Sequence, residues 1–222
     1  MIPIYVIHYK PLVERKEYLS RLLPEAIFVD EYGQDKLGPL WYYHYYLPSE
    51  ERWNRECHGL YAETPPFKIL TKGMISCGIA HIEIWRRITD SDRISLILED
   101  DAILCENFAQ EWNKTLEEIS MLNDWDLIFI GGAFPESICK TLGKKGNMLL
   151  KDHPASNTVC AYIIHPNAAR RLYKYLLNFT LPIDFSMNYA MKELNMRTWH
   201  VNPYIIREGT SAGYYKTSQE RT

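Results

Sequence analysis

The chain has no block of basic residues. Its 25 Lys and Arg are scattered among 28 Asp and Glu, and a net charge of −3 gives no electrostatic footprint for nucleic acid. It has no C-x-x-C pair. Cys57, Cys77, Cys105, Cys139 and Cys160 are odd in number and far apart. Neither a zinc site nor a disulfide framework is indicated, and reduced thiols in a cytosol are expected. No apolar run reaches the length of a membrane span. The apolar opening at residues 1–7 is short, with no basic segment before it and no small-residue cleavage site after it, which is not a signal-peptide pattern. Without secretion, the glycosylation pattern at Asn178-Phe179-Thr180 carries no weight. There is no internal repeat and no linker, so the 222 residues are expected to form one domain, 1–222, with a sizeable core.

What the chain does have is Ser95-Leu96-Ile97-Leu98-Glu99-Asp100-Asp101. Four residues that read as a buried strand end in three consecutive carboxylates. Adjacent acids repel and each prefers water, so this placement is unfavourable unless a cation offsets the charge. In an open α/β sheet, the carboxyl end of a strand is where ligands bind. A hard divalent cation would neutralise such a cluster and also grip a phosphate. A solvated acidic loop is the competing reading.

Strands are expected at residues 4–7, 26–29, 95–98, 126–130, 158–164 and 198–201, and helices at 16–23, 108–122, 167–177 and 185–194. Ile75, Ile79, Ile82, Trp85 and Ile88 recur at helical spacing, with Thr71 as the N-cap. This alternation predicts an α/β domain with a mostly parallel sheet flanked by helices. Gly131-Gly132 closes the strand before it, and residues 135–155 read as a polar loop. Residues 32–70 are the least regular part, broken by Gly33, Gly38, Pro39, Pro48, Gly59, Pro65 and Pro66. They are crowded with Trp41, Tyr42, Tyr43, Tyr45, Tyr46, Trp53, Tyr61 and Phe67, too aromatic for disorder. A short strand pair covering a cleft, or a packed lid, would account for them.

The segment Leu70-Thr71-Lys72-Gly73-Met74-Ile75-Ser76-Cys77-Gly78-Ile79-Ala80-His81-Ile82-Glu83-Ile84-Trp85, followed by Leu98-Glu99-Asp100-Asp101, resembles the hallmark of glycosyltransferase family 25. Leu70, Thr71, Gly73, Ile75, Cys77, His81 and Trp85 match in register. Ile4-Tyr5-Val6-Ile7 with Glu14-Arg15 is similar to the family's opening strand and its "ER" pair, and Pro182-Ile183-Asp184 resembles its P-I-D. The resemblance covers nearly the whole chain except residues 32–69. Met74, Ser76, Ala80 and His8 depart from it, standing where Glu, Gly, Ser and Asn are usual.

The resemblance implies a GT-A-like, Rossmann-like domain. It implies an inverting hexosyl transfer from a UDP-sugar, most simply UDP-galactose, to a hydroxyl of a surface oligosaccharide or glycolipid such as lipooligosaccharide. Such an enzyme would work in the cytoplasm, in peripheral contact with the membrane that carries its acceptor. Glu99-Asp100-Asp101 then stands for the D-x-D element. Asp101 is the main ligand of Mn²⁺ or Mg²⁺ and Glu99 assists; Asp100 meets ribose or sugar hydroxyls and is a second candidate base. His200, near the last strand, is a further candidate metal ligand, or a structural His. Arg15, after the first strand, would contact uracil or phosphate, or else begin a helix in solvent. His8, Thr71 and His81 are further donor-side candidates. His81 and Trp85, one helical turn apart, would otherwise be core residues. Asp184 is the candidate base for the acceptor hydroxyl, or simply a helix cap, and the helix dipole is expected to lower its pKa. Rings within 41–61 would stack on sugar faces. Two rivals stand beside this reading. One is a non-catalytic sugar- or nucleotide-binding domain of the same fold. The other is a nucleotidyltransferase, against which the missing Gly-rich phosphate loop argues.

Overall fold

The computed structural model describes residues 2–60, 63–133, 139–156 and 158–217. The chain opens with β1 (Ile4–Ile7), α1 (Val13–Leu22) and β2 (Ile27–Val29). Then come α2 (Pro39–Tyr45), α3 (Glu50–His58), α4 (Lys72–Ser91), β3 (Ser95–Glu99), β4 (Ala102–Leu104), α5 (Phe108–Ser120) and β5 (Leu127–Gly132). β6 (Thr141–Lys145), β7 (Met148–Lys151), β8 (Ala161–Ile164), α6 (Pro166–Leu176), α7 (Ile183–Glu193), β9 (Thr198–Val201) and β10 (Ile206–Glu208) complete it.

The main sheet has the order β2-β1-β3-β8-β5-β9-β7-β6. β1, β2, β3, β5 and β9 point the same way, and β8 is inserted antiparallel between β3 and β5. β10 lies parallel to β5 and antiparallel to β4. Side chains alternate across the sheet, as the period of a strand requires. Leu96 and Leu98 face the layer of α1 and α5, while Ile97 faces the layer of α4, α6 and α7. Both faces are covered, which is why the central strands read as continuous apolar runs.

Three parts of the sequence reading are corrected. Among the described residues, the stretch after residue 32 holds no strand pair: α2 begins at Pro39, suited to the first turn, and α3 is capped by the Ser49 hydroxyl, which accepts from the Arg52 N–H. Tyr61 lies outside the described residues. The expected polar loop contains the β6–β7 hairpin, and the chain adds β10 beyond the expected last strand. Gly131-Gly132 closes β5 as expected, as its last two residues.

β1, β3 and β10 all end at one edge of the sheet, at His8, Asp100 and Gly209. The N-terminal turns of α4 and α7 reach the same edge, where Gly73, Cys77 and Asp184 line its cavities.

Candidate functional site

Two clefts open at that edge. One is walled by the ends of β1 and β3, by Tyr32 and Gly33, by the first turns of α4, and by Thr210 and Thr217. The other, of about 640 Å³, is lined by Trp53, Pro65, Phe67, Met74, Pro182 and Asp184. That volume is in the range of ligand pockets. Cys77, Glu99 and Glu208 belong to both clefts.

The three consecutive acids diverge, because each successive side chain leaves the strand end in a different direction. Asp100 turns toward β1: its Oδ2 accepts from His8 Nδ1 at 2.9 Å and from the Tyr9 N–H at 3.0 Å, and its Oδ1 accepts from Arg15 Nη1 at 2.8 Å. Arg15 is buried, donates also to the Lys216 carbonyl at 2.6 Å, and lies over the Tyr215 ring. This corrects the picture of a solvated helix-start Arg. It also takes Asp100 out of the running as a base, because both its oxygens are already engaged by His8, Tyr9 and Arg15. His8 and Arg15 still line the first cleft, each with one buried ring or guanidinium nitrogen left without a partner, Nε2 and Nε.

Asp101 is buried. Its Oδ2 accepts from the Thr210 N–H at 3.1 Å and its carbonyl from Gly209 at 2.8 Å, while Oδ1 has no partner. Burial, then the charge of Glu99, pushes its pKa up to about 6. Glu99 Oε1 accepts from Cys77 Sγ at 3.2 Å and from His81 Nε2 at 3.5 Å.

Glu208, at the end of β10, was missed by the sequence reading. Its pKa is raised to about 7 by burial and then by Asp101 and Glu99. A faint signal existed: Ile205-Ile206-Arg207-Glu208-Gly209 is a short apolar start that ends, after one Arg, in a carboxylate.

Asp184 is the second residue of α7, whose N-cap is Pro182, so the expected capping role falls away. The helix N–H groups of Phe185 and of Asp184 itself do lower its pKa, but burial outweighs them, and with Glu99's charge the net value rises to about 6. That reverses the expected direction.

Three other candidates are corrected. Thr71 caps α4, its hydroxyl accepting from the Met74 N–H at 3.3 Å, and it lines neither cleft. His81 is fully buried beneath Glu99 and cannot touch a donor. His200 is not with the acids. It aligns with Phe129, Tyr162 and Ile97 across the sheet, three strands from β3, or about 14 Å at the usual strand spacing. There it stacks on Phe129 and bonds the Tyr204 hydroxyl at 2.6 Å, and burial drives its pKa down to about 3.

Within the aromatic stretch, Trp53 lines the second cleft with Phe67 set edge-on at 5.7 Å. Trp41 stacks on Tyr45, and Tyr43 points into solvent at 83% exposure, so neither lines a cleft. The departures from the family pattern face the clefts: Ser76 and Ala80 the first, Met74 the second.

Comparison with known proteins places the chain among glycosyltransferase sequences. Procollagen galactosyltransferase 1-B of Xenopus laevis is 33% identical over 159 residues, 62% of this chain and 25% of that protein. Procollagen galactosyltransferase 2 of Mus musculus is 32% identical over 81 residues, 36% of this chain and 13% of that protein. The chain therefore spans a minor part of the length of these curated relatives. Among solved structures, it is similar to mannose-1-phosphate geranyltransferase from Thermus thermophilus (TM-score 0.44, 10% identity, 91% of this chain and 73% of that one). It is also similar to mouse xyloside xylosyltransferase 1 in its apo form (TM-score 0.42, 12% identity, 87% and 69%). The family model described as glycosyltransferase family 25 (LPS biosynthesis protein) matches residues 1–187, a span that includes Arg15, the acid triplet and Asp184. The chain belongs to glycosyltransferase family 25.

Proposed function

We propose that this chain is a metal-dependent, inverting galactosyltransferase that moves galactose from UDP-galactose to a hydroxyl of an oligosaccharide acceptor such as lipooligosaccharide. One observation carries the reading: two clefts meet on a shared floor of acids, with Asp101 on one side and Asp184 on the other. The relatives' names supply the galactose.

The residues fit a divalent cation. Asp101 Oδ1 is a buried carboxylate oxygen with no partner; beyond burial, the charge of Glu99 raises the pKa of Asp101, and Asp101 and Glu99 together raise that of Glu208. Asp101 and Glu99 would hold Mn²⁺ or Mg²⁺, with Glu208 beside them. When bound, such an ion supplies charge neutralisation to a departing diphosphate.

The chain's own groups do the rest. Arg15 faces the first cleft with donors to spare for a nucleotide's phosphate or base. Trp53 and Phe67 give the second cleft an apolar platform on which a sugar face can stack. Asp184 takes the proton of the acceptor hydroxyl as its oxygen attacks the anomeric carbon; the bond to the diphosphate breaks and UDP leaves with that electron pair. A pKa of about 6 leaves Asp184 ionised at neutral pH yet more basic than an ordinary carboxylate, which suits that task. No helix among the described residues is long and apolar enough to cross a membrane, in keeping with action at the cytoplasmic face of an acceptor-bearing membrane.

Isothermal titration with UDP-galactose, UDP-glucose and a nucleoside triphosphate, each with and without Mn²⁺, tests the donor. Transfer to an oligosaccharide, or instead to a collagen peptide, tests the acceptor. Mn²⁺-dependent binding of UDP-galactose above the others is expected. Binding without turnover on either acceptor would mark a non-catalytic domain, and preference for the triphosphate would mark a nucleotidyltransferase.

A further inference from the structure

The buried side of Glu99 carries a chain of hydrogen bonds that the transfer chemistry leaves unused. Trp85 Nε1 lies 3.0 Å from the Tyr162 hydroxyl, His81 Nδ1 lies 2.8 Å from the same oxygen, and His81 Nε2 lies 3.5 Å from Glu99 Oε1. Trp85, Tyr162 and His81 are fully buried, and the His81 and Tyr162 rings stack with centroids 5.8 Å apart.

The donor inventory fixes the protons. An indole N–H can only donate, so Trp85 occupies one lone pair of the Tyr162 oxygen. The Tyr162 proton then needs an acceptor, and His81 Nδ1 is the one in reach among the described residues. A bare Nδ1 leaves the imidazole proton on Nε2, directed at Glu99. The other two assignments fail. A proton on Nδ1 alone orphans the Tyr162 hydroxyl and sets the Nε2 lone pair against a carboxylate oxygen. A doubly protonated ring orphans the same hydroxyl. A buried donor left without a partner forfeits its hydration with nothing in return.

We propose that Trp85, Tyr162 and His81 form a positioning relay that locks the Nε2–H tautomer of His81 and pins Glu99 Oε1, so that Oε2 is presented to the clefts as a cation ligand. Oε2 takes no protein hydrogen bond among the described residues, and Glu99 lines both clefts. The one-turn spacing of His81 and Trp85 has a physical reason here: both reach one hydroxyl from one face of α4. The same assignment means that Cys77, His81 and Glu99, whose ligand atoms lie within 4.8 Å of one another, are a hydrogen-bonded trio and not a soft-metal cage, because Nε2 has no lone pair to give.

The ligand half of the proposal rests on the reading of Glu99 as a cation ligand, so the test has two independent readouts. The first is the imidazole ¹⁵N spectrum of His81 in the metal-free wild-type chain. The Nε2–H form is expected; the Nδ1–H form or an imidazolium overturns the relay whatever the metal does. The second is calorimetric titration of Mn²⁺ in the presence of UDP, in the wild type and in Tyr162→Phe. Phe keeps the ring stack and removes both hydrogen bonds. Outer-shell partners of metal ligands are typically worth 10–100-fold in affinity, so a loss of about tenfold or more is expected. His81→Gln, which can still offer an N–H to Glu99, should retain more affinity than His81→Leu. Wild-type affinity in a folded Tyr162→Phe overturns the relay; should that variant unfold, Trp85→Phe is read in its place. If the wild type itself binds no Mn²⁺, the cation reading of Glu99 fails, and the tautomer alone decides the relay.

Discussion

At the scale of single residues, position in the clefts separates the three acids that the sequence presents as one motif. Asp101 keeps an unpartnered buried oxygen, whereas Asp100 spends its lone pairs on His8, Tyr9 and Arg15. Asp101→Asn should therefore abolish Mn²⁺-dependent UDP binding while leaving the metal-free chain folded, with a melting temperature at neutral pH at or above that of the wild type; unchanged metal-dependent affinity in the folded variant would remove Asp101 as a ligand. Asp184→Asn keeps size and removes the proton acceptor. UDP-galactose binding should survive while turnover falls by about 10²–10⁴-fold. If Asp184→Asn retains most of its activity, Glu208 becomes the base to test, since it also faces the second cleft and its pKa is higher. The acid triplet was legible because three carboxylates at the end of an apolar run are chemically conspicuous. Glu208 was not, because a lone acid becomes a site residue only through the pairing of β10 with strands far away in sequence.

At the scale of elements, β10 reaches its place through a close approach that a side chain would forbid. A Cβ on Gly131 would come within 2.8 Å of the Ala161 and Ile206 Cβ atoms and 2.9 Å of the Ile206 carbonyl oxygen. Gly131→Ala must push β10 off β5, at about 1–3 kcal/mol by the usual measure of overpacking. Because β10 carries Glu208 and leads to Gly209 and Thr210, which bond Asp101, metal-dependent UDP binding should weaken with the stability, as paired melts and titrations would show. Wild-type stability and affinity in this variant would mean that β10 is not held as described. The sequence reading placed this glycine pair at the end of the strand, where it is, but not the reason for it, because the neighbouring strand β10 is out of sight in the sequence. The β6–β7 hairpin was hidden for a different reason: β6 is mostly exposed, so its Thr-Leu-Gly-Lys-Lys pattern has no buried face to betray a strand. By contrast α4 was readable from its Thr71 cap through Ile88, since its apolar stripe and that cap agree.

At the scale of the whole molecule, the site is a store of unfavourable charge that a cation would relieve, and pH reports on it. Asp101 and Asp184 ionise near pH 3.8 when unfolded but only near 6 in the fold, and Glu208 shifts from 4.5 to about 7. Between those limits the folded chain holds more protons than the unfolded one, so these three groups withdraw stability as pH rises. His200, with its pKa lowered from 6.5 to about 3, and His153, also lowered by burial, act in the opposite sense: the unfolded chain takes up their protons first, and stability falls as pH drops below their ordinary value. The two trends overlap, so the melting temperature of the metal-free protein is not diagnostic on its own. The increment produced by Mn²⁺ is. The histidines titrate alike with and without the ion, whereas the ion must displace protons from the cleft carboxylates. Melts at a fixed Mn²⁺ concentration should show a small rise in melting temperature at about pH 5, a growing one through pH 6 to 7, and a plateau above about 7.5. Asp101→Asn should flatten that profile. An increment independent of pH in the wild type would place the ion elsewhere, on groups already ionised at the acid end of the range, and would separate metal binding from the buried acids on which the proposed transfer depends.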